Sequence, residues 1–506
     1  MNTTPATQPN ALAGLLFIAD RLSRRSWFYA IWLLLFIPIA FACRKLVGGD
    51  MAALGGFHFV YYTLALSHIA YRIIQAGTKS LVAPDVLFVI VYTIVNWGYL
   101  TFLWVGAVPF SSRVIYFPSA MGDSLQVVVI GLASFLFAYE ISGHGSQKVR
   151  EYASEIAIPK PGWGFLGLSM LFAGMILHFV GLMGLGFSTV MRYGYDAIQH
   201  TARYTDSWLI QTIMGISIPI SVIGVMLCFG YGVIRERKLF YSRTFFVAWL
   251  LWVLILLLEG DRGGVVRIIL PAMIIYHYVI RPIKFRYLVL IGFVVMFIFS
   301  ALAFVRNTSG FSPSAMIKDY TYIQSKDNNA KWYSMLHELG TSFVTLNITV
   351  HEVPGAEYYW RGASWRDSII HIVPFAQGIA LRQGIGKWEA SEWVTVTYWG
   401  RKSSGKGYNY AAEGYLNFGI PGVIFQMMIT GLALRWLVRR FQKIPSTGTL
   451  IVMFGGVVLI IISIRDHTNV VIPQIAQLWV VSWLMTHTFG ETKSSVPIQH
   501  PDMHKP

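Results

Sequence analysis

The chain has 506 residues, is 55% hydrophobic and 15% aromatic, and carries a formal net charge of +16 with mean hydropathy +0.55. A soluble protein of this length would divide into several domains, but the apolar residues fall in long runs, so the expected class is an all-α, polytopic membrane protein. The basic excess invites a nucleic-acid reading. Its placement excludes that: many Lys and Arg residues cluster in short loops between apolar runs, the pattern of topology signals.

In chain order, the N-terminus is polar through Asn10, and the first long apolar run starts only after Arg21, Arg24 and Arg25. No cleavable signal is evident, so this run reads as a permanent span. A span needs about 20 apolar residues. Runs that qualify begin near Trp27, Met51, Pro84, Met121, Gly162, Ser207, Thr244, Gly263, Tyr287, Phe418, Thr449 and Gln474, which predicts about twelve transmembrane helices. Basic residues in short loops set the orientation. With the N-terminus inside, cytoplasmic segments hold Arg21, Arg24, Arg25, Lys79, Lys148, Arg150, Lys160, Arg235, Arg237, Lys238, Arg243, Arg281, Lys284, Arg286, Arg435, Arg439, Arg440 and Lys443. The opposite short loops carry fewer, such as Arg44, Lys45, Arg113, Arg192, Arg203 and Arg465. The predicted organisation is therefore about nine spans in 1–305, a large outer loop over 306–417, the last three spans in 418–489, and a short polar, disordered cytoplasmic tail over 490–506. Residues 259–262 and 465–473 fall on the same outer side as the loop.

The loop is the least ordinary part of the chain, because a polytopic protein with one large folded loop usually uses it for something specific. Within it Trp332, Met335, Leu336, Leu339, Phe343 and Leu346 recur at helical spacing, predicting an amphipathic helix lying on the membrane or against the spans, with Asp327 or Asn328 as its cap. The two cysteines, Cys43 and Cys228, fall inside apolar runs, which rules out a disulfide in the loop and a cysteine zinc site.

Several constellations could carry chemistry. Glu259-Gly260-Asp261-Arg262-Gly263-Gly264-Val265-Val266-Arg267 is a tight outer turn that opens a helix. Unpaired amides at that helix end, together with Arg262, would suit an anion such as phosphate. Arg267 lies about one turn into the span, where an unpaired cation is costly; neutralisation of both arginines by Glu259 and Asp261 is the plainer alternative. Arg306 follows a span directly, as a snorkelling or an anion-binding residue. Arg465-Asp466-His467 joins the last two spans and could orient a base. His337-Glu338 and His351-Glu352 lack the spacing of a zinc helix, so a solvated or structural role suits them better. Gly400-Arg401-Lys402-Ser403-Ser404-Gly405-Lys406 begins like a phosphate loop, but Gly407 replaces the magnesium-holding hydroxyl. It reads instead as a basic lid over an anionic substrate. His68, Arg72 and Glu140, near the inner boundary, suit a structural ion pair as well as a proton path.

Three stretches together resemble the bacterial O-antigen polymerases (Wzy-type oligosaccharide repeat-unit polymerases). They are Asp261-Arg262-Gly263 opening a mid-chain span; Tyr359-Trp360-Arg361-Gly362-Ala363-Ser364-Trp365 followed by Pro374; and Glu413-Gly414-Tyr415-Leu416-Asn417-Phe418-Gly419-Ile420-Pro421-Gly422. The resemblance implies a GT-C-like membrane glycosyltransferase acting on undecaprenyl-diphosphate-linked oligosaccharide at the outer face of the inner membrane, moving a growing glycan onto a sugar hydroxyl of the next lipid-linked unit. The site would hold about two or three negative charges of a diphosphate, for which Arg262, Arg267 and Arg306 are the candidates. Arg361, Arg366, Lys406 and Arg465 complete the basic substrate-binding set. Glu413 is the first choice for deprotonating the acceptor, with His337 and His467 behind it. Tyr408, Tyr415 and Trp365 could stack on sugars or simply pack at the bilayer boundary. No metal or cofactor is required. Membrane lipids and a chain-length regulator in the same membrane are the further candidate partners. An O-antigen ligase or a transporter of the same lipid-linked sugar are the alternatives; a transporter would show matching halves, and none is seen.

Overall fold

The computed structural model describes residues 24–47, 51–111, 114–142, 156–186, 208–259, 261–284, 286–287, 290–292, 294, 334–373, 376, 390–400 and 407–492. The helices are α1 (Arg24–Val47), α2 (Ala53–Ala76), α3 (Pro84–Trp104), α4 (Met121–Ile141), α5 (Gly162–Gly184), α6 (Trp208–Arg235), α7 (Arg243–Leu258), α8 (Arg262–Ile275), α9 (Ser334–Glu352), α10 (Ala363–Ile370), α11 (Ala390–Trp399), α12 (Tyr410–Lys443), α13 (Thr447–Ser463) and α14 (Thr468–Thr488). Among the described residues, seven segments are long and apolar enough to cross a membrane: Tyr29–Val47, Pro84–Trp104, Pro118–Ile141, Gly162–Gly184, Thr212–Arg235, Gly263–Ile280 and Tyr410–Lys443. This makes a multi-pass helical membrane protein. Helices α7 and α13 are apolar but only 16 and 17 residues long, and the run predicted from Tyr287 lies largely outside the described residues.

Helix α4 is the central post. Some 89% of its apolar window is buried inside the protein, so its hydrophobicity serves packing rather than lipid contact. It is wrapped mainly by α12, α1 and α2. Lipid-facing side chains such as Leu35, Phe165, Leu251, Phe425 and Trp483 are exposed on the peripheral helices, as a bilayer solvent allows. Helices α5 and α6 make the closest helix pair. A Cβ on Gly174 would stand 2.7 Å from the Ser217 carbonyl oxygen, and one on Gly224 2.7 Å from that of Gly167. Small residues here let two backbones touch, which replaces the missing hydrophobic drive between helices in lipid.

Near the predicted inner boundary, Arg72 Nε donates to Asp85 Oδ2 at 2.6 Å, His68 Nε2 meets the same oxygen at 2.9 Å, and Arg72 also contacts Glu140. The ion pair expected there is a buried network joining α2, α3 and α4. Tyr29 on α1 reaches His68 Nδ1 at 2.9 Å. The tail predicted to be disordered from Glu491 instead begins in a two-residue strand, β2 (Glu491–Thr492), antiparallel to β1 (Ile158–Pro159). The Gly448 amide donates to Glu491 Oε1 at 3.2 Å, so a tail carboxylate sits on the first turn of α13.

Helix α9 departs from expectation. The periodicity predicts one apolar face, but every residue from Gly340 to Val350 is buried, enclosed by α3, α4 and α12. Three of its polar residues, Thr345, Asn347 and Thr349, find partners there. Asn347 Oδ1 accepts from the Phe117 amide at 2.6 Å, and its Nδ2 donates to the Phe117 carbonyl at 3.0 Å. Thr345 Oγ1 accepts from the Asn409 amide at 2.9 Å, and Thr349 Oγ1 lies 3.0 Å from the Tyr408 hydroxyl. Satisfied in this way, Thr and Asn cost little to bury.

Helix α12 is broken. Phe418 (φ −147°, ψ 22°) and Gly419 (φ 64°, ψ −148°) leave the helical region, and a positive φ of this kind favours glycine. The segment 410–417 folds back on the rest. Gln426 Nε2 donates to the Tyr410 carbonyl at 2.9 Å, and the Tyr410 hydroxyl lies 3.0 Å from Thr430 Oγ1. In a continuous helix residues 410 and 426 would stand about 24 Å apart. Gly414 and Gly422 face each other at the crossing, where a Cβ on Gly422 would come within 2.1 Å of the Gly414 carbonyl oxygen. The orphan carbonyls of the short arm are satisfied from outside: the Trp360 amide donates to Leu416 O at 3.0 Å and the Arg361 amide to Asn417 O at 3.1 Å. Asn409 caps its start, accepting from the Ala411 and Ala412 amides.

Two outcomes follow. Gly422→Ala should cost about 1–3 kcal/mol through backbone overlap, whereas Gly215→Ala, where no atom lies within 4 Å of the new Cβ, should be neutral or stabilising by up to about 1 kcal/mol; thermal unfolding in detergent compares them. Burial, partly offset by hydrogen bonds from the Gly448 and Thr447 amides, raises the Glu491 carboxyl from 4.5 to about 7. The folded state then holds a proton that the unfolded state has lost, so stability falls as pH rises from about 4.5 to about 7. A melting-temperature profile of Glu491→Gln should lack that descent.

Candidate functional site

The two loop-and-hairpin motifs and the turn before α14 form one knot. Glu413, on the short arm of α12, is fully buried. The Thr468 amide donates to its Oε2 at 2.9 Å and the Thr468 hydroxyl to its Oε1 at 2.6 Å. His467, the N-cap of α14, provides no side-chain cap, so Glu413 caps that helix from 55 positions away. A carboxylate there gains from both the free amides and the helix dipole. Charge-assisted hydrogen bonds of this kind contribute about 1.5–3 kcal/mol.

Asn417 is the second node. The Gly362 amide donates to its Oδ1 at 3.0 Å, and its Nδ2 donates to Ser364 Oγ at 2.8 Å and to the Glu413 carbonyl at 2.9 Å. Gly362 is left-handed (φ 85°) just before α10, which turns the chain into this contact. Trp365 Nε1 donates to Gln426 Oε1 at 2.9 Å, so Trp365 is held against α12. Ser368 Oγ stands 2.6 Å from Thr468 Oγ1 and also reaches Asn469 Oδ1. Segments 360–368, 408–418 and 464–469 are thereby locked together.

Arg267 sits at the edge of this knot. Its Nη2 is 3.9 Å from Asp466 Oδ2, and its side chain is 14% exposed. Its Nε is buried without a hydrogen-bond partner among the described residues. Asp466 Oδ1 accepts from the His467 amide at 3.0 Å and lies 2.9 Å from His467 Nδ1. Asp466 is partly exposed and His467 is buried. A narrow, largely apolar cleft lies beside Arg267 between α6, α8, α13 and α14.

The structure distributes the other sequence candidates unevenly. Tyr408 is fully buried against Thr349, and burial drives its phenol well above the ordinary value; in this position it packs and cannot stack on a sugar. Tyr415 is half-buried beside Tyr359. Arg465 runs along the Gly407–Tyr408 backbone, its carbonyl accepting from the Tyr408 amide at 3.2 Å. Arg361, in a left-handed conformation, and Arg366, ion-paired to Asp367 at 3.1 Å, are both exposed. Arg306, Lys406 and the side chains of Arg262 and His337 lie outside the described residues.

Two sequence readings of the outer turn change. The start of α8 is not an open anion site: Asp261 Oδ1 accepts from the Gly264 amide at 3.0 Å, so a carboxylate of the chain itself occupies the cap. Glu259 meets a histidine that the turn did not suggest: it accepts from His178 Nε2 at 2.8 and 2.9 Å, while His178 Nδ1 lies 3.2 Å from Ser217 Oγ. Thr468, Asn469, Ser368 and Asp466 are the site residues that sequence reasoning underweighted. The signal for Thr468 was present, since a Thr just before an apolar run marks a helix start. Among the described residues, His68, Asp85 and Glu140 place donor atoms within 4.8 Å of one another, but the Arg72 guanidinium contacts both carboxylates and fills the role a cation would have.

No curated protein and no solved structure gives a significant match to this chain. The family model described as O-antigen polysaccharide polymerase Wzy matches residues 27–489. That match spans the α1–α14 bundle and the whole Glu413–Thr468 knot, and on it the chain belongs to the O-antigen polysaccharide polymerase Wzy family.

Proposed function

We propose that this protein polymerises undecaprenyl-diphosphate-linked oligosaccharide repeat units. It transfers the growing glycan from its lipid diphosphate to a sugar hydroxyl of the next lipid-linked unit, at the periplasmic face of the inner membrane. The chain crosses that membrane about twelve times, with 306–417 on the periplasmic side; the alternation of basic loops supports this orientation. Family membership supports the reaction class.

The observation that carries the reading is Arg267. A guanidinium one turn inside a span, with an unmade hydrogen bond and an apolar cleft at its side, suits an anionic headgroup on a lipid chain. Arg262 and Arg306 extend the positive field at the same membrane face. In the reaction the bond between the anomeric carbon and the diphosphate oxygen breaks, and its electron pair leaves with the prenyl diphosphate. The acceptor oxygen forms the new glycosidic bond and gives up its proton. Arginines stabilise the departing charge without changing protonation.

Glu413 has both oxygens engaged by Thr468 and no exposed surface. We assign it to positioning: it fixes the α14 end that carries Asp466 and His467. Asp466 is the accessible carboxylate beside Arg267, and it takes the proton-accepting role, with His467 orienting it. The exposed Arg361 and Arg366 stand ready for the glycan, and Lys406 for the diphosphate.

Purified protein incubated with a lipid-linked repeat unit should yield a polymer ladder on a gel. Arg267→Ala should lower kcat/KM about ten- to hundredfold, the worth of one or two charge-assisted hydrogen bonds. Asp466→Asn should lower kcat about 10²–10⁴-fold. Normal ladders from both variants would remove the site assignment. In cells, loss of the protein should leave single repeats on the surface glycolipid. No repeats at all would indicate a ligase or a transporter instead.

A further inference from the structure

We infer that His178 and Glu259 form a clamp that fixes the start of α8 and so sets where Arg267 stands, which makes His178 a positioning residue of the transfer. This rests on the polymerase reading, in which Arg267 stabilises the departing charge, and adds what holds Arg267 in place.

Three helices meet at one ring. His178 lies on α5, Ser217 on α6, and Glu259 is the C-cap residue of α7. Both Glu259 carboxylate oxygens lie within hydrogen-bond distance of His178 Nε2, at 2.8 and 2.9 Å, and His178 Nδ1 stands 3.2 Å from Ser217 Oγ. All three side chains are buried, and Trp252 of α7 packs edge-on against the ring at 5.2 Å. The order hydroxyl, imidazole, carboxylate elsewhere activates a nucleophile. Here Ser217 has no exposed surface, and a Cβ on Gly174 would stand 2.7 Å from the Ser217 carbonyl oxygen, so the hydroxyl is closed to substrate. The relay transmits position instead. Ionisable groups in an apolar bundle are costly and mark function, whereas apolar side chains of similar volume would serve packing alone as well.

The clamp acts through a short, rigid path. The Asp261 amide donates to the Leu256 carbonyl at 2.9 Å, and the Gly264 amide to Asp261 Oδ1 at 3.0 Å. The end of α7 and the first turn of α8 therefore move together. Arg267 follows one turn later, about 6 Å along the axis from Gly263. The path closes on α6, where Pro219, Val222 and Ile223 line the same narrow cleft as Arg267. Helix α6 thus holds α8 twice: at its start through Ser217, His178 and Glu259, and at Arg267 through the cleft wall. Placement is exacting there, because Arg267 Nη2 already stands 3.9 Å from Asp466 Oδ2. A misplacement of about 1 Å in a reacting constellation costs about 10²-fold in rate.

The test combines amide hydrogen exchange with kinetics, on the full-length purified protein and a lipid-linked repeat unit. His178→Phe keeps an aromatic ring against Trp252 and removes both hydrogen bonds. It should raise exchange in peptides spanning 255–268 at least about tenfold. It should also lower kcat/KM about ten- to hundredfold, towards the Arg267→Ala value. Added to Arg267→Ala, it should lower kcat/KM by less than about a further twofold, since both act through one guanidinium. His178→Gln, whose amide still donates to Glu259, should bring both readouts to within about threefold of the unsubstituted protein. Effects of His178→Phe and Arg267→Ala that multiply would show a general loss of structure, and unchanged exchange over 255–268 would show that the clamp holds nothing; either result overturns the inference. Ser217→Ala, which deletes one hydroxyl and frees the ring, carries the same exchange test if His178→Phe fails to accumulate: a rise over 255–268 supports the clamp, and no rise overturns it. Exchange is read without substrate. Unsubstituted protein that makes no polymer would therefore sink the polymerase reading, while the exchange result still decides whether His178 holds α8.

Discussion

The site depends on one contact: the Glu413 carboxylate against the first amide and hydroxyl of α14. A helix end buried in a membrane protein has free N–H groups that nothing else in lipid can satisfy. The chain solves this by turning a second helix back on itself. The break at Phe418 and Gly419 lets residues 410–417 lie antiparallel to their own continuation, and that places Glu413 at the foot of α14. Gly414 and Gly422 permit the fold-back, because a side chain at either position would overlap the opposing backbone.

The consequences spread from there. Trp360 and Arg361 complete the short arm's hydrogen bonds and so dock the loop motif on the hairpin. Asn409 reaches across to Asn96 on α3 at 2.6 Å, and Thr345 on α9 holds the Asn409 amide. The polar region between the spans is thus keyed into the bundle rather than laid over it. Asp466, next to this assembly, inherits its position from α14 and lands beside Arg267. Arg267, mostly buried, and the partly exposed Asp466 stand 3.9 Å apart at the border of an apolar cleft, and on this pair the proposed transfer from a lipid diphosphate rests.

Much of the scaffold was legible in the chain. Long apolar runs identified the helices, since hydropathy depends on local sequence alone. Two of the three stretches that suggested the family, 359–365 and 413–422, meet directly in the structure through Asn417. What escaped reading was set by distant partners. The burial of α9 could not be inferred from its one-sided periodicity, because Thr345, Asn347 and Thr349 are satisfied by residues up to 230 positions away. Glu413 read as a free base because its partner Thr468 lies in another helix. The His178 partner of Glu259 was not visible from the turn because it lies 81 positions upstream. Each case has the same origin: a polar residue's role follows from its hydrogen-bond partner, and spacing along the chain does not name that partner. The twelve predicted spans against seven that qualify by length and composition among the described residues reflect a different limit. Short helices such as α13 pass through a protein interior as readily as through lipid.

The most direct test of the central contact is a double-mutant cycle between Glu413→Gln and Thr468→Val, read as the change in unfolding free energy of the purified protein. Linked through one buried carboxylate, the two substitutions should be non-additive by about 1.5–3 kcal/mol, the worth of a charge-assisted hydrogen bond. Additivity within about 0.5 kcal/mol would mean that Glu413 does not hold α14, and the account of how Asp466 is positioned would be wrong.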